Sequence, residues 1–298
     1  MRIIVCIKEV THVYASVGID RQTNLIDPEG VVHIINPYDE CAVEEAIRLK
    51  ESVGGENKIT LVTICPPRAE SILRDCLAMG ADEAIRIWDD AFQDLDSWTT
   101  SFVLAKTIRG VDYDLILCGK QAIDTNAGQV GIYLAKLLNL PLVSAVIEVE
   151  HYFPQMKVVT VQKLIEKGDR EVVECPLPAL FTVEKGLDEP RYPTLPAFLK
   201  ALKKEILELD ANKLNIDPKK IQLNSLVRMI KLSPPKPKPT FTIDSSLPAS
   251  ERLKLLMSGG IAKKNSTKIL EGKVRDVVTQ AVQLLIRQLG KESKQHSF

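Results

Sequence analysis

The feature that most restricts what this chain can become is a series of short, largely apolar runs separated by longer amphipathic segments. IIVCI (3–7), KITLVTI (58–64), EAIRI (83–87) and DLILCG (114–119) are too short for ordinary helices and too uninterrupted for strands with one face in water. Such runs suit parallel strands covered on both faces. Between them, NPYDECAVEEAIRLKESVGG, AESILRDCLAMGAD and SWTTSFVLAKTIRG repeat apolar residues at helical spacing, and Gly54, Gly55 and Gly80 stand where the first two helices must stop. GQVGIYLAKLLN supplies a fourth helix after the fourth strand. Strict alternation of this kind predicts an α/β fold, a doubly wound parallel sheet of Rossmann-like nucleotide-binding type with right-handed crossovers.

After about residue 142 the pattern changes. LVSAVIEVEH, MKVVTVQKLIEKG and REVVECPLPALFTVE alternate apolar and polar residues between turns, which predicts antiparallel additions to the sheet. From Gly186 the chain becomes irregular, and EPRYPTLPAFLKALKKEI ends in a short basic helix. SPPKPKPTFT reads as an extended arm, and GKVRDVVTQAVQLLIRQLGK places Val274, Val277, Val278, Val282, Leu285 and Ile286 on helical spacing. The expected division is a nucleotide-binding α/β domain over 1–205 and an extended C-terminal arm and helix over 206–298 that lies along a partner.

One loop stands out. In LILCGKQAIDTNAGQVGIYLAKLL (115–138), Gly119 ends a buried strand, Lys120, Gln121, Asp124, Thr125, Asn126 and Gly128 form a polar connection, and a helix follows. A loop at the carboxyl end of a strand and the amino end of a helix is where open α/β sheets bind ligands and where unpaired N–H groups attract phosphate.

Composition excludes some partners. With 39 basic and 39 acidic residues the formal charge is zero, which gives no reason to expect nucleic acid. No apolar run approaches the ~20 residues of a membrane span, and the first residues start a strand at once rather than a secretory signal, so no direct membrane insertion is expected. The six cysteines form no CxxC and sit mostly in apolar segments, as reduced core residues do. A cytoplasmic location is the natural expectation; a matrix protein after cleavage of its transit peptide would look the same. His12, His33, His151 and His296 show no partner spacing, and neither a metal motif nor a P-loop signature is present, so no catalytic residue and no metal ligand is assigned. An ATP-using adenylating or sulfur-transfer enzyme would want a glycine near the first strand, where KEVTHVY has none, and a stand-alone nucleotide sensor would leave residues 186–298 without a role.

INPYDECAVEEAIRLKE, LRDCLAMGADEAIRI, DLILCGKQAID followed by GQVG, and LPALFTVEKGLDEPRYPTLP, in that order, resemble the β subunit of electron transfer flavoprotein over roughly residues 1–205. The resemblance implies a heterodimer with an α subunit that holds most of the FAD site, electron flow from a flavin dehydrogenase such as acyl-CoA dehydrogenase in fatty acid β-oxidation, and a quinone- or ferredoxin-linked acceptor. It also implies an adenine nucleotide in this chain, AMP or, in electron-bifurcating members, a second FAD. Carried over by position, the nucleotide would meet Cys6, then Asn36, Pro37, Tyr38 and Asp39, then Cys65. It would also meet Gly119, Lys120, Gln121, Ala122, Ile123, Asp124, Thr125, Asn126, Ala127, Gly128, Gln129 and Val130. Asn36 doubles as a helix cap. Many members read K-Q-V-P-D-T after the first strand where this chain reads KEVTHVY, which favours AMP, whereas the short loop ending in GQVG also suits bifurcating members. Residues 189–204 resemble the family's recognition loop for dehydrogenases, with Leu195 as the apolar anchor and Arg191 and Lys200 among the surrounding cations.

Overall fold

The computed structural model describes residues 1–12, 31–186 and 189–227, with isolated helical positions between 250 and 282. The polar stretch 19–30, the proline-rich 233–242 and Leu285 and Ile286 therefore lie outside the described residues. The chain divides into two compact units, Met1–Pro234 and Pro235–Phe298. In the second, Val274, Val278 and Val282 are exposed and lie four residues apart in helical backbone, one above another on a single face.

The first unit runs β1 (Arg2–Cys6), β2 (Glu9–Thr11), β3 (His33–Ile35), α1 (Pro37–Val53), β4 (Lys58–Ile64), α2 (Glu70–Met79), β5 (Glu83–Ile87), α3 (Ser97–Ile108), β6 (Leu115–Gly119) and α4 (Val130–Leu138). It continues through β7 (Leu142–Phe153), β8 (Val158–Leu164), β9 (Arg170–Pro176), β10 (Ala179–Val183), α5 (Leu195–Ala201), β11 (Ile206–Leu209) and α6 (Pro218–Ile221). Nine strands form one sheet in the order β11-β5-β4-β1-β6-β10-β7-β8-β9, while β2 and β3 make a small antiparallel pair. Side-chain alternation along the central strands builds two cores. Ile3, Val5, Leu115 and Leu117 face the cluster that contains Ala42, Val43 and Leu73 of α1 and α2, whereas Ile4, Cys6, Ile116 and Cys118 face the cluster with Val103 and Leu134 of α3 and α4.

The expectation of antiparallel additions holds for β7, β8 and β9, which pair antiparallel. It fails for Ala179–Val183: β10 inserts between β6 and β7 and pairs parallel with both. All five of its residues are buried, the mark of a strand covered on both faces rather than an alternating one. The chain also stays with this unit beyond residue 205, because β11 adds parallel to β5. Arg86, 6% exposed, bonds Glu208 from that strand. Further on, Asp96 Oδ2 accepts from the N–H groups of Leu226 (2.6 Å) and Val227 (3.0 Å) while its Oδ1 caps α3 through Thr99.

The order of the strands locates a crevice. From β1 the chain adds β4 and β5 on one side, then returns across the sheet to place β6 on the other side of β1. Connections therefore leave the carboxyl ends of β1 and β6 in opposite directions, and a gap opens between them. Gly131 brings α4 against the sheet beside it: an added Cβ would lie 2.6 Å from Thr182 Cγ2 and 2.8 Å from Cys118 Sγ. Gly131→Ala should therefore overpack this contact and lower stability by about 1–3 kcal/mol, read as a lower urea midpoint with unchanged circular dichroism. An unshifted midpoint would mean that α4 can move away without loss.

Candidate functional site

The reversal between β1 and β6 is bridged from below by the start of α1. Asn36 precedes the helix and its carbonyl accepts from Asp39 N and Glu40 N, but its side chain does not cap. Instead Nδ2 donates to Gln121 O (2.9 Å) and Oδ1 accepts from Ile123 N (3.2 Å). Only 1% exposed, the amide ties the loop to the helix start and also bonds the Asp39 carboxyl. Asp39 does the same for the strand ends: Oδ2 accepts from Lys8 N and Oδ1 from Gly119 N, both at 2.8 Å. Gly119 must be glycine here, since a Cβ would collide with Asp39 Oδ1 and sit 2.7 Å from Tyr38 Cβ. Tyr38 also receives a hydrogen bond on its hydroxyl from Gln121 Nε2 (3.2 Å).

Above this base the loop curls. Asn126 N donates to Ala122 O, and Asn126 (φ 50°) and Gly128 (φ 61°) are left-handed on either side of Ala127. Among the described residues, no protein group accepts from the N–H groups of Ala127, Gly128 and Gln129, and α4 begins at the next residue. N–H groups without a protein acceptor at a helix start attract anions without needing a lysine. The groups present therefore fit a phosphate.

The structure brings Asn36, Tyr38, Asp39 and the 119–130 loop together at this reversal. Cys6 belongs there through its backbone alone, because its thiol packs into the α3–α4 core and burial, helped by Asp39, pushes it up to about 12. Cys65 lies one strand away at the end of β4, with burial pushing its thiol up to about 11. Lys120 reaches back to Glu184 Oε2 (2.7 Å). Reading the sequence missed Lys8, whose Nζ meets both oxygens of Asp124 (2.9 and 2.7 Å); its place directly after β1 at the reversal was the available signal.

The 189–204 segment lies elsewhere, on α1 and α2. Arg191 fills a fork between Glu44 and Glu51 of α1, with contacts of 2.7 to 3.2 Å, and these bonds, Glu51 first, raise its pKa. Its charge is thus matched within the chain. Tyr192 and Leu195 stand out 90% and 71% exposed, with Leu199, Lys200 and Leu202 beyond them.

Comparison with known proteins shows the family. The electron transfer flavoprotein domain matches residues 23–214. The chain is 38% identical over 262 residues to electron transfer flavoprotein subunit beta of Thermoanaerobacterium thermosaccharolyticum, covering 88% of this chain and 94% of that one. The chain belongs to the electron transfer flavoprotein family, as a β-subunit member. The Bacillus subtilis subunit beta is 42% identical over 66% of this chain and 74% of its own. The caffeyl-CoA reductase-Etf complex subunit CarD of Acetobacterium woodii is 38% identical, covering 76% of this chain and 84% of its own. An electron transfer flavoprotein implies flavin and nucleotide association, and a subunit named beta implies an alpha partner. Among the described residues, no helix is long and apolar enough to cross a membrane.

The bridge has a pH signature. Burial raises the Asp39 carboxyl from 3.8 to about 7, against the hydrogen bonds from Asn36, Gly119 and Lys8 and the charge of Lys8, which all pull it down. The folded state thus holds this proton more tightly than the unfolded state. Its contribution is fully present below pH 3.8 and is lost as pH rises through about 7. Asp39→Asn removes this titration and turns an amide NH₂ toward a backbone N–H, at a cost of about 1–3 kcal/mol. The stability advantage of the unmutated chain over Asp39→Asn should shrink from pH 5 to pH 8 in urea titrations. An advantage that grows with pH would mean that the two N–H bonds outweigh burial.

Proposed function

We propose that this chain is the β subunit of a heterodimeric electron carrier that holds AMP at the 119–130 loop. Its α partner would hold most of the FAD, which when bound supplies the redox chemistry. The observation that carries the reading is the trio of backbone donors at 127–129, placed where the strand order reverses and where α4 begins. In this reading the chain itself contributes no catalytic group. Asn36 and Asp39 fix the loop from beneath, the backbone of 127–130 binds phosphate, and the residues at the ends of β1 and β4, Cys6 and Cys65, wall the nucleotide. Electrons enter from a flavin dehydrogenase such as acyl-CoA dehydrogenase and leave to a quinone- or ferredoxin-linked acceptor. The exposed stripe Val274, Val278 and Val282 supports an arm lying on the α subunit, and the unpaired cysteines suit a reducing, cytoplasmic setting. A second reading places FAD here in place of AMP, as in bifurcating members, and rests on the short loop ending in GQVG.

Gly128→Val tests the cradle. A β-branched residue at φ 61°, with its Cβ 3.4 Å from Lys120 O, is strained by about 1–3 kcal/mol and reshapes the donors. AMP per heterodimer, measured by chromatography after denaturation, should fall well below stoichiometric. Unchanged content would put the nucleotide elsewhere, and two FAD without AMP in the unmutated protein would establish the second reading.

The 189–204 segment is proposed as the dehydrogenase dock, with Leu195 as anchor, Lys200 on its rim and Arg191 holding the segment to α1. An apolar anchor filling a pocket contributes about 2 kcal/mol or more, so Leu195→Ala should slow reduction by the cognate dehydrogenase at least tenfold in stopped-flow measurements. Dithionite reduction should keep its rate. A variant reduced normally by the dehydrogenase would return Leu195 to a merely exposed side chain.

A further inference from the structure

The segment 189–204 is tied to the body of the protein at both ends. Arg191 fixes its entry to α1 through Glu44 and Glu51, and Arg74 of α2 fixes its exit. Arg74 Nη1 donates to Ala201 O (2.8 Å) and to Lys204 O, the carbonyls at and just past the end of α5. Its Nε and Nη2 meanwhile hold Glu70 Oε1, one turn back on α2, at 3.0 and 2.7 Å. With the side chain 17% exposed, the planar guanidinium is fixed between one carboxylate and two carbonyls. The other Glu70 oxygen lies 4.0 Å from Arg86 Nη1, and Arg86 reaches Glu208 of β11, so the clamp is anchored in the sheet. Lys204 Nζ adds a bond to Ala81 O beyond the end of α2 (2.6 Å).

Between the two ties α5 has two faces. Phe198 and Ala201 pack on the core, whereas Leu195, Leu199 and Leu202, four and three residues apart in helical backbone, stand 71%, 52% and 49% exposed in one stripe. A helix of seven residues is too short to hold itself, so the pose of that stripe depends on what grips its ends. Resting on the docking reading above, we infer that Arg74 is the positioning residue of the dock, setting the angle at which the Leu195, Leu199 and Leu202 stripe meets an apolar groove on the dehydrogenase. It acts through α5 and lowers the ordering cost of docking. A lysine could not substitute, since one ammonium cannot span both carbonyls and Glu70 in a fixed plane.

The test is stopped-flow reduction of the flavin-loaded heterodimer at increasing concentrations of acyl-CoA dehydrogenase reduced beforehand by its substrate. Arg74→Gln should raise the half-saturating dehydrogenase concentration at least fivefold, keep the limiting rate within twofold and leave dithionite reduction unchanged. Combined with Leu195→Ala, its effect should fall well short of the product of the two single effects, because both act through the same stripe. An unchanged half-saturating concentration in Arg74→Gln, a loss confined to the limiting rate, or effects that multiply in the double variant would each overturn the positioning role. Where Arg74→Gln yields no heterodimer, Glu70→Ala, at a side chain 38% exposed, decides instead: a rise of at least twofold is expected, and no rise overturns the role. Leu195→Ala without effect would overturn the docking reading beneath it.

Discussion

Everything at the ligand edge hangs on one buried carboxylate. A sheet whose strand order reverses leaves two strand ends with backbone donors pointing into a gap, and unpaired buried N–H groups are costly. Asp39 answers two of them at once, Lys8 N and Gly119 N, from the first turn of α1. The negative charge also sits at the positive end of a 17-residue helix, which helps offset its desolvation. Asn36 extends the arrangement one step, from the helix start into the loop. The loop is therefore shaped by the scaffold itself, so that a ligand held there, as proposed, would meet a lower ordering cost.

This division of labour separates two kinds of residue that lie close in sequence. Asn36 and Asp39 are hidden and saturated with hydrogen bonds, so they act through the loop. Among the described residues no group accepts from the backbone N–H groups of 127–129, and Ala127 and Gly128 add little side chain. A phosphate held by main-chain groups needs no particular side chain, only the curvature that Asn126 and Gly128 impose.

Much of the α/β fold was legible because continuous apolar runs and glycine stops are local signals: KITLVTI and EAIRI coincide with β4 and β5 residue for residue. The β10 strand was misjudged because ALFTV was read with the alternating REVVECP before it, although its own composition is that of a doubly covered strand. The edge strand β11 escaped notice because ILEL is only four residues long and none of them is buried, and its place is set by pairing with β5 and by Arg86 rather than by its own pattern. At the site, the loop was visible as a break between strand and helix. The pairing of Lys8 with Asp124, 116 residues apart, and of Arg191 with Glu44, 147 apart, is tertiary and leaves no local trace.

The fork at Arg191 ties the fate of one segment to another. Glu44 and Glu51 lie on opposite ends of two helical turns of α1, and a guanidinium can satisfy both only if it enters at one height and one angle. A lysine there would reach one acid and strand the other, with the nearly buried Glu44 the more expensive to abandon. The projecting segment and the middle of α1 are therefore a matched set. Grafted from one family member to another, the segment would keep its pose only when the helix that grips it travels too.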